Sequence, residues 1–442
     1  MATRHQTEYP VANLLPRMSL GRAKHPESDY LRVMKVRVAT EIGPLRSVIV
    51  HTPGPELLGI TPGTREDFLY DDLPDAEHAR SEHERFTAVL RQFAEVHEVR
   101  DLLADVLVNR ATRELLVRET MDIVPSEPLA REIEALPAAE LVRMLIEGRV
   151  ETPGPLARAL NEPGYELPPL PNLFFTRDAA MAVGEHVLIG SMRYGVRWPE
   201  ELIMKALFSY HPMLTNQGIL FDGSTERRLN YTLEGGDVHP LRDDLILIGF
   251  SERSSPGAID HLASVLFAHT SVTDIIIVVM PKEDTAIHLD MIFTQVDRDL
   301  CVCFRPHFVG PERLSVLHWH KGESTLREKD SIFDALADCG MPMTPIFAGG
   351  ERRVVQEREQ WASGCNFVAM RPGVVLSYAR NAATLREMER AGFAIMSDTA
   401  FLADRTQLDD GRRAVITFEG AELVRGGGGP RCMTCPVERA AL

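Results

Sequence analysis

The stretch LEGGDVHPLRDDLILIG, from Leu233 to Gly249, contains the pattern that decides the fold. Its carboxylate Asp237 stands nine positions before Ile246, which lies in an apolar run typical of a buried strand. Three further polar residues precede apolar runs by nine or ten positions, and the four pairs are Asp178 and Val187, Asp237 and Ile246, Asp290 and Leu300, and Asn366 and Val375. Self-similarity of this kind predicts repeated β-rich modules with a polar loop or strand end at an equivalent place. If the modules surround an axis, those polar ends converge. An ordinary α/β protein also alternates polar turns with apolar strands, so the spacing alone leaves both interpretations open.

The composition is that of a globular protein, with 44% hydrophobic and 25% charged residues among 442. Acidic side chains outnumber basic ones by 64 to 48, which gives a formal net charge of −16. Repulsion therefore opposes binding to nucleic acid or to an anionic membrane surface. The longest apolar runs fall far short of the roughly 20 residues of a spanning helix. We expect neither a nucleic-acid partner nor a membrane segment.

The compartment is inferred from the first residues and from the cysteines. Polar and proline residues interrupt the N-terminal region where a signal peptide needs an apolar stretch. Six cysteines in a chain of this length do not indicate a disulfide framework. A cytoplasmic location is expected.

Composition also divides the chain into segments. Residues 1–36 are interpreted as an N-terminal extension. Leu, Ala, Arg and Glu dominate residues 101–160, which prolines divide into short predicted helices, so we interpret this segment as a helical insertion. Residues 37–100 and 161–442 are expected to form the main α/β domain.

Cys432 follows a run of four glycines, 426–429, whose exposed amides and small size would give a substrate close access. The neighbouring Arg431 could favour the thiolate, so Cys432 is a candidate nucleophile. The spacing to Cys435 also permits a redox or zinc half-site. No second C-x-x-C or H-x-H pair stands at zinc-finger spacing, and a metal site is not expected.

His288 and Asp290 stand two residues apart before a predicted strand, so on an extended segment their side chains share a face. Such a pair suits a proton shuttle beside a charge-binding group, although structural His-Asp pairs are at least as common. The similar pair His318 and His320 has no acidic or cysteine companion nearby in the sequence, and we assign it a structural role.

The remaining candidates are acidic or aromatic. Glu234 and Asp237 flank a Gly-Gly turn, and Asp178 follows an amide and aromatic rings at Asn172 and Phe175. Carboxylates with an aromatic face suit a planar organic cation, because a guanidinium accepts bidentate carboxylate pairing and stacks on rings.

Taken together, these motifs resemble the arginine deiminases. Five of them occur in the family's order: NLFFTRD (172–178), LEGGD (233–237), HLD (288–290), GCNFVAMRPGVV (364–375) and RCMTCP (431–436). The earlier segment EIGPLRSVIVHTPG (41–54) resembles the family's first strand. The resemblance implies an α/β fold, a five-bladed pseudo-fivefold propeller known as the pentein fold, with an inserted helical domain. The propeller would be the catalytic domain.

The resemblance also implies roles for residues at matching positions. Cys432 would attack the guanidinium carbon, Asp178 and Asp290 would bind the guanidinium nitrogens, and His288 with Glu234 would be the acid/base group. The residues implied in substrate binding are Asn172, Phe175, Arg197, Asp237 and Arg253. The implied substrate is L-arginine, hydrolysed to L-citrulline and ammonia without metal or cofactor, by a homodimer or homotetramer.

The chemistry is coherent on physical grounds alone. A cysteine among carboxylates should have a raised pKa until a cationic substrate reverses the local field. The sequence departs from the family at Gly427, where an arginine that gates the pocket is common, and at Trp198-Pro199, which replaces a charged run. Cys365 stands where a small hydroxyl residue is commoner, which is interpreted as neutral.

Three alternatives remain open. An amidinotransferase would form the same Cys432 intermediate but pass the amidine to an amine. A dihydrolase would release two ammonia molecules, and a related deiminase would act on a modified arginine. An inactive arginine-binding or regulatory protein is disfavoured, because a pure binder would not need Cys432.

Overall fold

A computed structural model describes residues 33–160, 164–226, 230–408 and 411–442, which form a mixed α/β structure. Most of the predicted extension 1–36 lies outside the described residues. Its last part does not, since Met34 and Lys35 form a strand and the Met34 side chain is buried. In the described ranges no helix combines the length and apolar character needed to cross a membrane.

The strands are β1 (Met34–Lys35), β2 (Leu45–Val50), β3 (Glu95–Glu98), β4 (Arg149–Val150), β5 (Tyr165–Leu167), β6 (Ala180–Val183), β7 (His186–Ile189), β8 (Leu214–Thr215), β9 (Ile219–Asp222), β10 (Val238–Arg242), β11 (Leu245–Phe250), β12 (Asp274–Val279), β13 (Phe293–Gln295), β14 (Leu300–Cys303), β15 (Val316–His320), β16 (Arg327–Lys329), β17 (Thr344–Phe347), β18 (Val368–Arg371), β19 (Val374–Tyr378), β20 (Ala394–Ser397), β21 (Ala414–Phe418) and β22 (Cys435–Arg439). The α-helices are α1 (Ala76–Leu90), α2 (Val99–Val106), α3 (Arg110–Ile123), α4 (Glu127–Ala135), α5 (Ala138–Glu147), α6 (Pro155–Leu160), α7 (Thr176–Ala179), α8 (Trp198–Tyr210), α9 (Gly223–Glu226), α10 (Pro256–His269), α11 (Arg305–Phe308), α12 (Ile332–Asp338), α13 (Arg353–Trp361), α14 (Ala382–Arg390) and α15 (Asp398–Ala403).

Five sheets share one local topology. In each, a middle strand pairs antiparallel with one neighbour and parallel with the other. The five strand orders are β22-β2-β3, β6-β7-β9, β10-β11-β12, β13-β14-β17 and β18-β19-β21, two of which are extended by further strands. The four apolar runs of the sequence repeat lie on the middle strands β7, β11, β14 and β19, so the strands predicted there are confirmed.

Helices connect the parallel strands, because two parallel neighbours need a crossover rather than a tight turn. Helix α1 joins β2 to β3, α8 joins β7 to β9, and α10 joins β11 to β12. The apolar stripe predicted on the first of these is buried at Phe86, Val89 and Leu90, while Phe93 lies beyond the end of the helix. In these three sheets a helix follows the middle strand and leads to its parallel neighbour.

Helices α2 to α6 occupy residues 99–160, which include the predicted helical insertion 101–160. Side chains that cap helix N-termini explain two of the boundaries: Asn109 accepts a hydrogen bond from the Ala111 amide, and Ser126 accepts one from the Leu129 amide. Apolar faces of α2 to α5 share one buried cluster with α8. The segment therefore packs against the main body instead of enclosing a separate core.

Candidate active site

The five repeated sheets each contribute a polar side chain from the loop or short turn that precedes their first strand. These residues are Asp178 before β6, Asp237 before β10, Asp290 before β13, Asn366 before β18 and Cys432 before β22. All five are buried. The repeat therefore predicts four of the five positions, and Cys432 completes the set.

Cys432, the candidate nucleophile, lines a cavity of about 220 Å³. This volume lies below the roughly 300–1,000 Å³ of pockets for drug-sized ligands, so the cavity suits one small molecule. Four carboxylates at the lining lie away from the catalytic candidates: Glu66, Asp71, Glu252 and Asp284. Together with Asp178, they make the lining favourable for a cation.

Cys432 contacts two of the repeated polar residues. Its Sγ lies 3.4 Å from Asp290 Oδ2 and 3.1 Å from Asn366 Nδ2. Burial raises the pKa of the thiol well above its usual range, and the negative charges of Asp290 and Asp178 add to the effect. The resting thiol is therefore protonated at neutral pH. It becomes a nucleophile only if a cation offsets those charges.

Arg431 lowers the pKa of Cys432 as its position in the sequence predicts, but burial and the charges of Asp290 and Asp178 outweigh it. Its guanidinium is buried, donates to Asp290 Oδ2 at 2.8 Å and forms two hydrogen bonds to Glu41 at 3.0 and 3.1 Å. These contacts fix Asp290 Oδ2 on the protein side. The other oxygen, Asp290 Oδ1, is buried and has no hydrogen-bond partner within the described part of the chain.

His288 and Glu234 form a buried pair with 2.9 Å between Nε2 and Oε2. Burial lowers the pKa of His288, but Asp178, Glu234 and Asp237 more than offset it and raise that pKa to about 9. Glu234 itself remains ionised, because the nearby charges of Arg253 and His288 outweigh burial and lower its pKa. His288 is thus a proton donor at neutral pH.

Asp178 is oriented by Arg197, whose Nη1 donates to Oδ2 at 2.9 Å. Arg197 also forms a bidentate pair with Glu200, at 2.9 Å from Nε and 2.8 Å from Nη2. Its three guanidinium nitrogens are therefore engaged within the protein, which differs from the expected contact with a substrate carboxylate. Asp178 Oδ1 has no hydrogen-bond partner among the residues described.

The departure at Trp198-Pro199 has a local explanation. These residues begin α8, and proline is tolerated in the first turn of a helix because its missing N–H has no intrahelical acceptor there. Glu200 lies in the same turn and accepts hydrogen bonds from the Arg197 guanidinium. Although Trp198-Pro199 replaces the charged run that is common in the family, Arg197 still pairs with a carboxylate, that of Glu200.

Asp237 differs from its expected place at the substrate. Its Oδ2 accepts hydrogen bonds from Ser251 at 2.5 Å and Ser254 at 2.6 Å, and its Oδ1 accepts one from the Leu289 amide at 2.9 Å. The residue does not line the cavity. Burial raises its pKa to about 6. Asp237 supports the loop between His288 and Asp290.

The Gly-Gly turn explains how Glu234 and the histidine come so close. A Cβ added to Gly236 would lie 2.5 Å from the ring of His288, and one added to Gly235 would lie 2.0 Å from the Arg177 carbonyl oxygen. Side chains at either position would therefore push the acid/base pair apart.

The other predicted substrate-binding residues do line the cavity. Asn172 donates to the Phe68 carbonyl at 2.8 Å, and the ring of Phe175 lies against Gly428. The Arg253 guanidinium lies 4.7 Å from the centroid of the Tyr194 ring, and its Nη1 lies 3.2 Å from Glu234 Oε2. Arg253 is therefore the better placed of the two predicted arginines to contact a ligand.

At Gly427 the cavity lacks the arginine that is common in the family. The residue has a φ of +80°, and a Cβ placed there would meet nothing within 4 Å. The nearby Arg425 does not replace it, because its side chain pairs with Asp72 and Glu422. The wall at this position consists of glycine backbone.

The structure also brings in residues that the sequence analysis did not assign to the site. Asn366 was identified by the repeat but received no role, and its Oδ1 accepts hydrogen bonds from the Arg431 and Cys432 amides. Glu41 and Glu200 had no signal beyond being charged. Tyr70 lines the cavity and donates to the Pro171 carbonyl at 2.7 Å, without a sequence signal.

Asp178, Glu234 and His288 also have donor atoms within 4.8 Å of one another, as a metal site requires. The cationic side chain of Arg197 lies against both carboxylates, and Arg253 lies against Glu234. Those positive charges oppose a divalent cation. The arrangement favours proton transfer and binding of an organic cation.

Comparison with known proteins identifies the family. The family model described as arginine deiminase matches residues 66–439. The chain is 30% identical to the arginine deiminase of Rhodococcus opacus (strain B4) over 91% of this chain and 97% of that protein. It is 32% identical to the arginine deiminase of Bacillus cereus (strain B4264), with 91% of this chain and 98% of that protein covered.

Solved structures resemble the fold at low sequence identity. The N-terminal domain of ArgZ, an arginine dihydrolase of cyanobacteria, matches with a TM-score of 0.50 at 13% identity, over 90% of this chain and 99% of that chain. SxtG, an amidinotransferase of Microseira wollei, matches with a TM-score of 0.50 at 12% identity, over 92% of this chain and 98% of that chain. These likenesses concern the fold alone, whereas the family match and the identity over nine-tenths of the sequence show that the chain belongs to the arginine deiminase family.

Proposed function

We propose that this protein is an arginine deiminase that hydrolyses L-arginine to L-citrulline and ammonia through a covalent amidino-Cys432 intermediate. The relatives of known name support the reaction, and the site supports the mechanism. One observation carries the proposal: two buried aspartates each keep one oxygen without a hydrogen-bond partner, in the described part of the chain, beside a buried thiol.

The unpartnered oxygens are Asp178 Oδ1 and Asp290 Oδ1. A buried carboxylate oxygen without a donor is costly in free energy, so its presence in two residues indicates a missing donor group. A guanidinium supplies N–H groups in a planar fork that matches carboxylates. We assign both aspartates to guanidinium binding.

The first half-reaction follows from the charges. Binding of the cationic guanidinium offsets the negative field that raises the pKa of Cys432, and the thiol releases its proton to solvent. The thiolate then forms a bond to the guanidinium carbon. His288, which is protonated at neutral pH, gives its proton to the departing nitrogen. The C–N bond breaks, ammonia leaves, and a positively charged amidino-thioether remains.

The second half-reaction uses the neutral imidazole that the first step produces. His288 takes one proton from a water molecule, whose oxygen attacks the same carbon. The C–S bond breaks and the hydroxyl proton goes to sulphur. Citrulline, the thiol and the protonated histidine are thereby produced. Glu234 stabilises the imidazolium at both ends of the cycle.

Arg253 is assigned to the substrate carboxylate and Arg197 to the positioning of Asp178. Both arginines line the cavity, but the Arg197 nitrogens are engaged by Asp178 and Glu200, whereas Arg253 contacts Glu234 through Nη1 and lies against the Tyr194 ring. Asn172 and Phe175 are assigned to the stem and amino-acid end of the substrate. Asp237 is assigned to positioning, since its oxygens are engaged behind the cavity.

We also propose that the five sheets are five blades around a pseudo-fivefold axis, as in the pentein fold, with residues 101–160 as a helical insertion. The common strand order and the convergence of one polar residue from each sheet support this arrangement. A homodimer or homotetramer in the cytoplasm stays a prediction.

The test is mass-resolved product analysis after incubation with L-arginine, without added metal or amine acceptor. We expect citrulline and one equivalent of ammonia. Ornithine with two equivalents would instead identify a dihydrolase. No reaction without an amine, followed by amidine transfer when one is added, would identify an amidinotransferase.

Two variants separate the chemistry from binding. Cys432→Ala should release no ammonia while still binding L-arginine, as measured by calorimetry. Glu252→Gln changes a carboxylate at the cavity lining outside the proposed guanidinium contacts and is a matched control for Asp178→Asn. Equal loss of activity in these two carboxylate variants would contradict the specific role of Asp178.

A further inference from the structure

A second cluster of side chains with nitrogen, oxygen and sulphur donors lies on the sheet that contains β12 and β15. It comprises Asp274, His318, His320 and Cys339, which line a cavity of about 540 Å³. Among the described residues, this cavity and the one at Cys432 have no lining residue in common. The proposed reaction uses none of the four side chains.

The fold places all four donors together from three elements. His318 and His320 are two positions apart on β15, so their side chains point to the same face of the sheet. Asp274 begins β12 and lies directly opposite His320 in the antiparallel register. Cys339 follows the last residue of α12, a helix that packs against both strands.

The donor atoms already lie close to one another. Asp274 Oδ1 is 2.7 Å from His318 Nε2 and 2.9 Å from His320 Nδ1. The sulphur of Cys339 lies 3.7 Å from the same His318 nitrogen. Asp274, His318 and Cys339 each have a donor atom within 4.8 Å of the other two, and His320 contacts this group through its hydrogen bond to Asp274.

We propose that Asp274, His318 and Cys339 bind a transition-metal ion, with His320 holding the Asp274 carboxylate from outside and Zn²⁺ as the ion that the donor set favours. Zinc accepts imidazole, carboxylate and thiolate ligands in tetrahedral geometry. Metal–ligand bonds of roughly 2.0–2.3 Å place tetrahedral donors about 3.3–3.6 Å apart. The Cys339–His318 distance of 3.7 Å already agrees, and the Asp274–His318 contact of 2.7 Å needs to lengthen by about half an ångström. On sequence alone we assign the two histidines a structural role, because the sequence shows no ligand near them. Asp274 and Cys339 are distant in the chain and meet the histidines only in the folded structure.

The surroundings leave the site accessible to an ion. His318 and Asp274 are mostly buried, whereas the His320 side chain is 48% exposed. Three cationic side chains lie nearby and have acidic partners: Arg242, which also donates to the Cys339 carbonyl at 2.9 Å, pairs with Asp244, Arg327 pairs with Glu323, and Lys329 lies 2.7 Å from Asp338. Glu323 and Asp338 also line the cavity and add negative charge.

The test uses Co²⁺ as a spectroscopic probe with the full chain, in the Cys432→Ala background so that the other candidate thiol is absent. A bound thiolate gives Co²⁺ an intense ligand-to-metal absorption band. We expect one equivalent of Co²⁺ to produce this band and Zn²⁺ to remove it. Adding Cys339→Ser should abolish the band, while Cys435→Ser should leave it unchanged.

His320→Gln provides a second measurement that does not depend on changing a buried residue. We expect it to weaken Zn²⁺ binding in a competition titration by about tenfold or more. His269→Gln is the matched control, because His269 is also exposed but lies at the end of α10. No thiolate band, a band that survives Cys339→Ser, or equal Zn²⁺ affinity in the two histidine variants would overturn the proposal.

Discussion

Replacing Glu234 with glutamine should shift the alkaline limit of activity to lower pH. Glu234 accepts the hydrogen bond from His288 Nε2 and holds one of the negative charges that keep the imidazole protonated. Its loss also removes the carboxylate that pairs with Arg253 beside His288. Both effects lower the pKa of His288, so the histidine would lose its proton within the working pH range.

The magnitude follows from the contacts. The pKa of His288 is raised from 6.5 to about 9 against the opposing effect of burial. Removing one carboxylate at hydrogen-bond distance from a buried group typically changes a pKa by about 1–2 units. If the value falls to about 7.5, the protonated fraction at about pH 8.5 falls roughly eightfold, while near pH 7 it changes by less than about 1.5-fold. The loss of activity should therefore grow steeply with pH.

The assay is kcat/KM for citrulline formation from mildly acidic to strongly alkaline pH, with Glu252→Gln as the control carboxylate. Titration of His288 by NMR in the resting protein measures the same pKa without turnover. Stability provides a further check. A histidine whose pKa is raised on folding contributes stability that is present below about pH 6.5 and is lost as pH rises through about 9. In Glu234→Gln that contribution should be smaller and its loss should be complete at a lower pH.

An unchanged alkaline limit in both the kinetic and the NMR profile would refute this reasoning. A uniform loss of kcat at every pH, with the His288 pKa still near 9, would mean that Glu234 orients the imidazole without setting its charge.

Three further outcomes are expected. Cys432→Ala should abolish ammonia release while far-UV circular dichroism stays unchanged, and residual turnover at the wild-type rate would exclude this residue as nucleophile. Asp178→Asn should raise KM for L-arginine and lower kcat/KM by about tenfold or more, because a charge-assisted pair is worth about 1.5–3 kcal/mol; Michaelis–Menten kinetics measures the loss, and a wild-type KM would contradict it. Gly428→Ala places a Cβ 2.3 Å from the Phe175 ring and should lower the free energy of unfolding by about 1–3 kcal/mol and raise KM. Gly427→Ala meets open space, so chemical denaturation should show a cost of about 1 kcal/mol from its left-handed backbone and KM should stay the same; the opposite order of effects would contradict the contact.

The repeat could be predicted from the sequence because it relates residues that are only nine or ten positions apart. The step from a polar residue to its middle strand spans one short strand and a turn, so Asp178 and Val187 keep a constant relationship wherever the module lies in the fold. The same locality gave the strands β7, β11, β14 and β19. Asn366 belongs to this pattern, so the repeat indicates its position although the residue has no charge. In the structure its side chain contacts the nucleophile.

Pairings between distant residues could not be read in the same way. Arg431 was adjacent to the nucleophile in the chain, yet its side chain turns to Glu41 and Asp290. Arg197 pairs with Asp178 and with Glu200, and its residue type alone identifies neither partner. A charged side chain pairs with whichever opposite charge the tertiary fold brings near it, and its residue type does not specify that partner.

The pairing of β22 with β2 has a consequence for biogenesis. These strands come from opposite ends of the described chain, and Cys432 lies just before β22. During translation, the edge of β2 that pairs with β22 has no partner strand until residues 435–439 have left the ribosome. Open strand edges invite pairing with other chains, and such long-range contacts form slowly. The nucleophile Cys432 and the strand that covers this edge are therefore synthesised together. Until then the nascent chain is inactive, and its open strand edge is a surface that chaperones could bind.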